Sequence, residues 1–298
     1  MQFDINDTAL GKTSATPEHY DASLLFRIPR SENREQYDIH ASKLPFVGYD
    51  VWNCYELSFL TNNGLPISRV VKLIYASDSQ YLVESKSLKL YLNAFNMDGF
   101  GKSIEEAEKG VKVLIQEDLT KLLETEVQVI LFHTESEEKE PFESIKTKDL
   151  ANLVSKEKQE SMQFSHFTET PALLQSKLSE SVQYCSFRTD LLRSNCRVTN
   201  QPDWGDLFVS IETKQIIELS SIMEYLVSFR KENHFHEEVV EMIYKRFLDH
   251  FKPEKLMVAA MYTRRGGIDI NPIRASHLEL IDKVMISPIY RVKKTMRQ

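Results

Sequence analysis

The chain has 298 residues, of which 42% are hydrophobic and 27% are charged, and its formal net charge is -7 at pH 7. These proportions are typical of soluble globular proteins and exclude a disordered chain, which would be poor in apolar residues. The acidic balance argues against direct binding of nucleic acid, because that needs a basic surface and the basic residues cluster only at 291–297. A chain of this length is expected to form about two domains.

The start of the chain does not have the pattern of an export signal. Asp4 and Asp7 occupy the region where such a signal carries positive charge, and no apolar core follows them. The apolar runs elsewhere are much shorter than the roughly 18 residues that a membrane-spanning helix needs. We therefore expect a soluble, cytoplasmic protein that does not enter a membrane.

The first half is expected to contain strands, then two helices, then a closing strand. Apolar residues that recur at i, i+3, i+4 and i+7 predict one helix around Leu88–Phe95 and a second that begins at Ile104. Segments rich in β-branched and aromatic residues predict the strands, which are placed at 55–60, 69–75, 80–84 and 126–132.

The second half repeats this order after residues 134–163, a stretch dominated by Glu, Lys and Ser. We place the domain boundary there, which gives an N-terminal domain of residues 1–150 and a C-terminal domain of residues 151–298. The repetition indicates a duplicated architecture. Its strands are predicted at 182–188, 207–212 and 256–262, and its helices span 222–229 and 240–251.

Both halves are expected to have an α+β fold. Consecutive strands joined by short links favour antiparallel sheets, and two helices with one apolar stripe each can cover one face of each sheet. The uncovered faces would need partners. We therefore expect a homo-oligomer, namely a homodimer.

Residues 194–205 are expected to form a polar loop that contains Cys196, Arg197 and Asp203. A nucleophilic cysteine reacts as the thiolate, so its ordinary pKa near ~8.5 has to be lowered by a cation or assisted by a base. Arg197 and Asp203 could provide this help. On these residues alone, two alternatives remain open: Cys196 as an incidental buried thiol, and Asp203 as a turn residue within Pro202-Asp203-Trp204-Gly205.

No metal site or common nucleotide-binding motif is expected. The three cysteines, Cys54, Cys185 and Cys196, have no C-x-x-C spacing, which fits neither a disulfide framework nor a zinc site and indicates a reducing compartment. The histidines and glutamates of segment 234–238 do not have the spacing of zinc proteases. Segment 96–103 resembles the end of a phosphate-binding loop, but Asn96 stands where the first glycine is required.

The loop around Cys196 resembles the active-site loop of the 7-cyano-7-deazaguanine reductases, the nitrile reductases of queuosine biosynthesis. Further segments are similar to motifs of that family in its long, two-module form, and the resemblance covers nearly the whole chain. These segments are Glu84-Ser85-Lys86-Ser87-Leu88-Lys89-Leu90-Tyr91, Phe229-Arg230 through Phe235-His236-Glu237, and Tyr262-Thr263-Arg264-Arg265-Gly266-Gly267-Ile268-Asp269.

The resemblance implies both a fold and a reaction. Each half would be a tunnelling-fold module, a four-stranded antiparallel sheet with two helices on one face. The acid-serine-lysine motif would lie in the first module and the cysteine loop in the second, so the site would lie between the modules. The enzyme would reduce the nitrile of 7-cyano-7-deazaguanine to an aminomethyl group with two NADPH.

The resemblance also implies roles for individual residues. Cys196 would add to the nitrile carbon and form a thioimidate, and Asp203 would deliver protons. Glu237 would accept the adjacent N–H donors of the ring. Without the resemblance, His236 and Glu237 would be interpreted as a solvated helix start, and Lys86 and Arg265 as surface residues. The implied substrate contacts are Val83, Glu84, Ser85, His236 and Glu237, and the implied NADPH contacts are Ser85, Lys86, Arg265 and Gly266.

Two functions of other classes remain as alternatives. A thiol hydrolase could act on a nitrile or an amide through Cys196 and would need no NADPH. A non-catalytic purine- or pterin-binding protein with a tunnelling fold would tolerate the loss of Cys196. Neither alternative uses Cys196, Asp203, the lysine-serine motif and the Arg-Gly-Gly turn together, so the reductase is preferred.

Overall fold

The computed structural model describes residues 17–133, 139–140, 147–289, 291–292, 295 and 298. Residues 1–10, where an export signal was considered, lie outside these ranges, and the stretches 134–163 and 291–297 lie within them only in part. The strands are β1 (Arg27–Pro29), β2 (Val47–Leu60), β3 (Pro66–Ala76), β4 (Tyr81–Val83), β5 (Val127–Phe132), β6 (Lys139–Glu140), β7 (Ser176–Cys196), β8 (Pro202–Ile217), β9 (Asn233–His234), β10 (Lys255–Tyr262), β11 (Ile268–Ala275) and β12 (Arg291–Val292). The helices are α1 (Ser31–Gln36), α2 (Ser85–Ala94), α3 (Ile104–Leu123), α4 (Lys156–Ser161), α5 (Leu219–Val227) and α6 (His236–Phe251).

One continuous sheet runs through both halves of the chain. Within the described residues it has eight strands in the order β5-β3-β2-β11-β10-β8-β7-β9. Neighbouring strands are antiparallel except for the short parallel pair β7–β9. The halves join where β2 pairs with β11, from Val47 opposite Ala275 to Cys54 opposite Ile268. This junction brings side chains from the first half next to side chains from the second.

Most of the predicted elements are present. The predicted helices correspond to α2, α3, α5 and α6, and the main predicted strands are present but longer than expected. The predicted strand at 80–84 is the short β4, which pairs with β1 in a separate two-stranded sheet. The mixed α+β class is confirmed.

Two local expectations are wrong. Strand β11 was not predicted, because Asp269, Asn271 and Arg274 interrupt its apolar pattern, yet it lies in the middle of the sheet and is buried throughout. The expected polar loop at 194–205 is also mostly strand: β7 continues to Cys196 and β8 begins at Pro202, which leaves only residues 197–201 between them. Asp203 therefore lies in a strand and not in a tight turn.

The helices cover one face of the sheet. Helices α2 and α3 pack on the strands of the first half through a core that includes Leu88 and Val111, and α5 and α6 pack on those of the second half. On the opposite face, Val51, Phe208 and Ile273 form a third apolar cluster with Ile281 and Met285 of the C-terminal segment. The face that was expected to be open is thus partly covered by the chain itself. No helix in the described ranges is long and apolar enough to cross a membrane.

Candidate active site

A pocket lies at the junction between the two halves of the chain. It joins the residues before α2, the tip of the β7–β8 hairpin, the start of α6 and the turn before β11. Eight of the predicted site residues line it, whereas Lys86 and Gly266 do not. The lining residues are Ile28, Trp52, Leu82, Val83, Glu84, Ser85, Cys196, Asp203, His234, Phe235, His236, Glu237, Arg265 and Ile270.

Cys196 is the last residue of β7 and is 5% exposed. Its backbone is fixed by the turn that follows: Cys196 N donates to the carbonyl of Gln201 at 2.8 Å, and Asn200 N donates to the carbonyl of Cys196 at 3.0 Å. Burial of the thiol opposes its ionisation. Hydrogen bonds from the side chain and backbone of Thr199, from the backbone of Val198 and from Arg265 outweigh burial and lower the pKa of Cys196. These hydrogen bonds favour the thiolate form of Cys196.

The cation beside Cys196 is Arg265 and not its sequence neighbour Arg197, which was the expected helper. Arg197 Nη1 lies 3.1 Å from Glu238 Oε1, so its charge is paired with that carboxylate. Arg265 reaches the site from the turn between β10 and β11, which is distant in sequence. This contact depends on the pairing of β10 with β8, the strand that carries Asp203, and could not be inferred from neighbouring residues.

Asp203 lies across the hairpin from Cys196 and on the same face of the sheet. It is paired with Ser194 in the β7–β8 register, and Cys196 follows two residues later. Its side chain is 6% exposed, with Oδ1 at 2.9 Å from Arg265 Nη1 and Oδ2 at 3.3 Å from His236 Nε2. The carboxylate is thus held between a guanidinium and an imidazole at the edge of the pocket.

His236 is the first residue of α6 and lies flat against Tyr262 of β10. The two rings are 3.9 Å apart with an interplanar angle of 7°. His236 Nδ1 is buried without a hydrogen-bond partner among the described residues. The stack fixes the imidazole plane, and the open nitrogen is available to a ligand or to water.

Glu237 is the second residue of α6, and its side chain is buried in the pocket at 3% exposure. Its Oε1 also has no hydrogen-bond partner among the described residues. Burial, together with the negative charge of Asp50, raises the pKa of Glu237 to about 8. A buried carboxyl group without a partner is costly, so this group favours a ligand with matching donors.

Glu84 is the N-cap residue of α2. Its Oε1 accepts from the backbone N–H of Lys86 at 2.8 Å, and its Oε2 accepts from that of Ser87 at 2.7 Å. Burial raises the pKa of Glu84, although these hydrogen bonds oppose the shift. Each oxygen keeps a further lone pair, so Glu84 can still accept from a ligand while it caps the helix. Val83 and Ser85, on either side of it, also line the pocket.

The Gly266-Gly267 turn connects β10 to β11 beside α2. Both glycines have positive φ, +59° and +75°, which is the backbone required for this tight two-residue turn. A Cβ at Gly267 would lie 2.3 Å from Glu56 Cδ, and one at Gly266 would lie 3.5 Å from Lys89 Nζ. Lys89 Nζ is also 3.3 Å from Glu56 Oε2. The two predicted cofactor segments, around Lys86 and around Gly266, therefore lie next to each other.

Sequence reasoning missed several lining residues, of which Trp52 is the most informative. Trp52 is fully buried in β2, and its indole Nε1 has no hydrogen-bond partner among the described residues. The predicted strand began at residue 55, although the apolar residues before it could have extended it. His234 was considered only as a metal ligand. Its Nε2 lies 3.0 Å from Glu232 and its Nδ1 lies 3.4 Å from Glu238.

The described residues do not contain a cluster of three or more His, Cys, Asp or Glu side chains that could hold a metal. The chemistry available in the pocket is that of a thiol with a lowered pKa, next to a carboxylate in contact with an imidazole. Unpartnered polar atoms of Trp52, His236 and Glu237 complement these groups. These groups are of the kind found in the active sites of enzymes that use a cysteine nucleophile.

Comparison with known proteins identifies the family. The model "Nitrile reductase, 7-cyano-7-deazaguanine-reductase N-term" matches residues 16–131, and the model "QueF-like protein" matches residues 202–279. The NADPH-dependent 7-cyano-7-deazaguanine reductase of Colwellia psychrerythraea is 38% identical over 276 residues, which are 93% of this chain and 94% of the relative. The enzyme of the same name from Polaromonas sp. is 39% identical over 268 residues, which are 90% of this chain and 92% of the relative. The chain belongs to the 7-cyano-7-deazaguanine reductase family.

A solved structure of an archaeosine synthase, described as QueF-like and in the apo form, also matches. It is 15% identical, with a TM-score of 0.29, and the match covers 33% of this chain and 94% of that one. A similarity this low does not contribute to the assignment.

Proposed function

We propose that this protein is an NADPH-dependent nitrile reductase that converts 7-cyano-7-deazaguanine to 7-aminomethyl-7-deazaguanine in queuosine biosynthesis. One observation carries the proposal: the Cys196 thiol, whose pKa is lowered, and Glu237, whose Oε1 has no hydrogen-bond partner among the described residues, line the same pocket. One group suits covalent chemistry and the other suits recognition of a guanine-like ring. The curated relatives that match nearly the whole chain have names that specify this activity.

The polar atoms in the pocket match the edges of a deazaguanine ring. Such a ring has adjacent N–H donors, which a carboxylate can accept in parallel, and Glu237 Oε1 has no partner in the described part of the chain. The ring also has a carbonyl acceptor, and the indole N–H of Trp52 is a donor that no described residue pairs with. Ile28, Leu82 and Ile270 supply apolar surface for the faces of the ring. This combination favours a planar heterocycle with both donors and acceptors.

Covalent addition makes the nitrile easier to reduce. The Cys196 thiolate forms a C–S bond with the nitrile carbon, and the nitrogen gains a proton, which gives a thioimidate. Each later stage again requires a proton on nitrogen. Asp203 and His236 are in contact at 3.3 Å and can hold and move that proton. Arg265 stabilises both the Asp203 carboxylate and the Cys196 thiolate.

NADPH, when bound, supplies the hydride for each of the two reductions. The residues beside the pocket fit an anionic cofactor. Lys86 and Lys89 on α2, together with Arg265, provide positive charge. The backbone of the Gly266-Gly267 turn lies close to Lys89. We propose that Ser85, Lys86, Arg265 and Gly266 bind the cofactor. Lys89, which lies against Gly266, would extend this positive surface.

We further propose that each half is a tunnelling-fold module, with residues 1–150 and 151–298 as the two domains. The order strand, strand, helix, helix, strand in both halves supports this. The second half contributes four antiparallel strands to the sheet, whereas the first contributes β2, β3 and β5 among the described residues. We also propose a homodimer, which the exposed Leu178 and Tyr184 on β7 support. A thiol nucleophile has to stay reduced, which supports a cytoplasmic location.

Mass spectrometry of the intact protein tests the proposed chemistry. Incubation with 7-cyano-7-deazaguanine in the absence of NADPH should increase the mass by one molecule of substrate. Cys196→Ala should abolish the increase, and Cys185→Ala, the matched control, should retain it. A folded protein that binds the ring without an adduct would support the binding-protein alternative. Hydrolysis of the nitrile without NADPH would support the thiol hydrolase.

A further inference from the structure

A fully buried cluster of charged side chains lies beneath Glu237, where β2 meets β11. It consists of Arg30, Arg34, Asp50, Glu241 and Arg274, and each of these residues is at most 4% exposed. Buried charges are rare because removing them from water is costly unless they are paired. A cluster of this size next to a binding pocket therefore calls for a specific role.

The arginines of the cluster are bound to two carboxylates. Glu241 accepts a bidentate pair of hydrogen bonds from Arg34 at 2.7 and 2.8 Å, and Arg274 donates to its Oε1 at 2.8 and 3.0 Å. Asp50 accepts from Arg30 at 2.5 Å, and its other oxygen lies 2.8 Å from Arg274 Nη2. Burial alone would raise the pKa of Glu241, but the neighbouring arginines lower it to about 2. Both carboxylates thus have cationic partners.

The charges within this cluster do not cancel. Three guanidinium groups face the carboxylates of Asp50 and Glu241, so one positive charge is left over. Two acidic residues lie about one helical turn before Glu241 on α6: Glu238 is paired with Arg197, whereas Glu237 Oε1 has no hydrogen-bond partner among the described residues. An ionised Glu237 would balance the cluster.

We propose that Asp50 and Arg30 are positioning residues that control the charge of Glu237 and thereby set the affinity of the pocket for a ring with adjacent N–H donors. This inference rests on the proposed function. Asp50 acts against ionisation of Glu237, while Arg30 and Arg274 act in favour of it. Neither Asp50 nor Arg30 is among the residues that line the pocket, so their effect on the ligand passes through Glu237.

Other groups also face Glu237 from the surrounding elements. Tyr75 on β3 and Tyr262 on β10 are buried close enough to interact electrostatically with it. Glu84 lines the same pocket from the start of α2, and Asp203 does so from β8. These groups stay unchanged in the variants below, so a change in pH dependence can be attributed to the cluster.

The test measures binding of 7-cyano-7-deazaguanine by calorimetry over a range of pH, with Cys196→Ala as the background so that no covalent step occurs. The carboxylate of Glu237 accepts the N–H donors of the ring, so affinity should increase as pH rises to about 8. Asp50→Asn should move this midpoint down by about one pH unit, which makes binding at pH 7 about fivefold tighter. Arg30→Gln should move the midpoint up and weaken binding about tenfold.

The opposite direction of the two shifts distinguishes charge control from a purely structural role. Arg30→Lys keeps the charge and should keep the parental profile. The inference would be overturned if both variants fold and the midpoints of their binding pH profiles stay unchanged. It would also be overturned if the two midpoints shift in the same direction. If Asp50→Asn does not fold, Glu241→Gln removes the other negative charge and should give the same downward shift. Lack of binding by the Cys196→Ala protein itself would instead contradict the proposed function.

Discussion

Asp203 Oδ2 and His236 Nε2 lie 3.3 Å apart, although the two residues come from different elements, β8 and α6. Tyr262 holds the imidazole plane by stacking, and Arg265 holds the other carboxylate oxygen. The pair is therefore fixed before a ligand enters. Such preorganisation is what a proton-transfer site needs, because the donor and acceptor do not have to be ordered during the reaction.

Asp203→Asn should slow the reaction much more than it weakens binding. The amide keeps the shape of the side chain but cannot exchange a proton with nitrogen, so we expect kcat to fall by a factor of about 10²–10⁴. The Kd for the nitrile should change little. Asp206→Asn is the matched control, because Asp206 lies on the opposite face of β8 and should leave kcat unchanged. Equal kcat values for the Asp203→Asn and parental proteins would remove Asp203 from the mechanism.

Thr199→Val should raise the pKa of Cys196. The hydrogen bond from the Thr199 side chain favours the thiolate of Cys196. Valine lacks this hydrogen bond but has nearly the same side-chain shape as threonine. The pH dependence of alkylation by iodoacetamide, followed by mass spectrometry, reports this pKa. Thr199→Ser keeps the hydroxyl and should match the parental protein.

Cys54 and Cys185 serve as internal references in that experiment. Burial raises the pKa of both thiols, that of Cys185 to about 11. At neutral pH they should react far more slowly than Cys196. Preferential alkylation of Cys185 would contradict the assignment of Cys196 as the activated thiol.

Glu237→Ala should weaken binding of the nitrile substrate and should have less effect on the reaction of bound substrate. Loss of hydrogen bonds to a charged group costs about 1.5–3 kcal/mol, which corresponds to a Kd increase of roughly 10–150-fold. The parental protein should bind more tightly as pH rises towards about 8, because Glu237 ionises over that range. Calorimetry at several pH values should show this dependence in the parental protein and not in Glu237→Ala. An unchanged Kd in the variant would remove Glu237 from ligand recognition.

Arg274→Ala should strongly destabilise the protein. Arg274 is completely buried and contacts both Asp50 and Glu241, so its loss removes charge-assisted hydrogen bonds and the packing of a large buried side chain, at a cost of about 3–5 kcal/mol. Arg27→Ala is the matched control. It breaks the more exposed pair Arg27–Glu124 and should cost less than about 1 kcal/mol. Urea unfolding measures both changes, and similar values for the two variants would contradict the proposed importance of the buried cluster.

The sequence was sufficient to predict the four longest helices, α2, α3, α5 and α6, and most of the long strands, because their apolar periodicity is strong and local. Strand β11 was missed because its polar side chains can be buried only when they form hydrogen bonds with side chains on other elements. Asp269, for example, accepts from Asn53 and Tyr55 of β2, each at 2.7 Å. No local pattern reveals such pairing.

The same distinction applies to the site. Cys196 and Asp203 were recognised as a possible pair because they are close in sequence. The contacts of Arg265 with both of them depend on the pairing of β10 with β8, and the cluster beneath Glu237 depends on the junction of β2 with β11, so both are visible only in the structure. The Glu84-Ser85-Lys86 motif also has a structural role that the sequence did not reveal, since Glu84 caps α2.

The most direct test of the central proposal follows NADPH absorbance after 7-cyano-7-deazaguanine is added to the purified protein, with the Cys196→Ala protein measured in parallel. Two NADPH should be oxidised for each nitrile reduced, and Cys196→Ala should oxidise none although it still binds the substrate. A folded parental protein that binds the substrate without oxidising NADPH, or a Cys196→Ala protein with normal turnover, would contradict it.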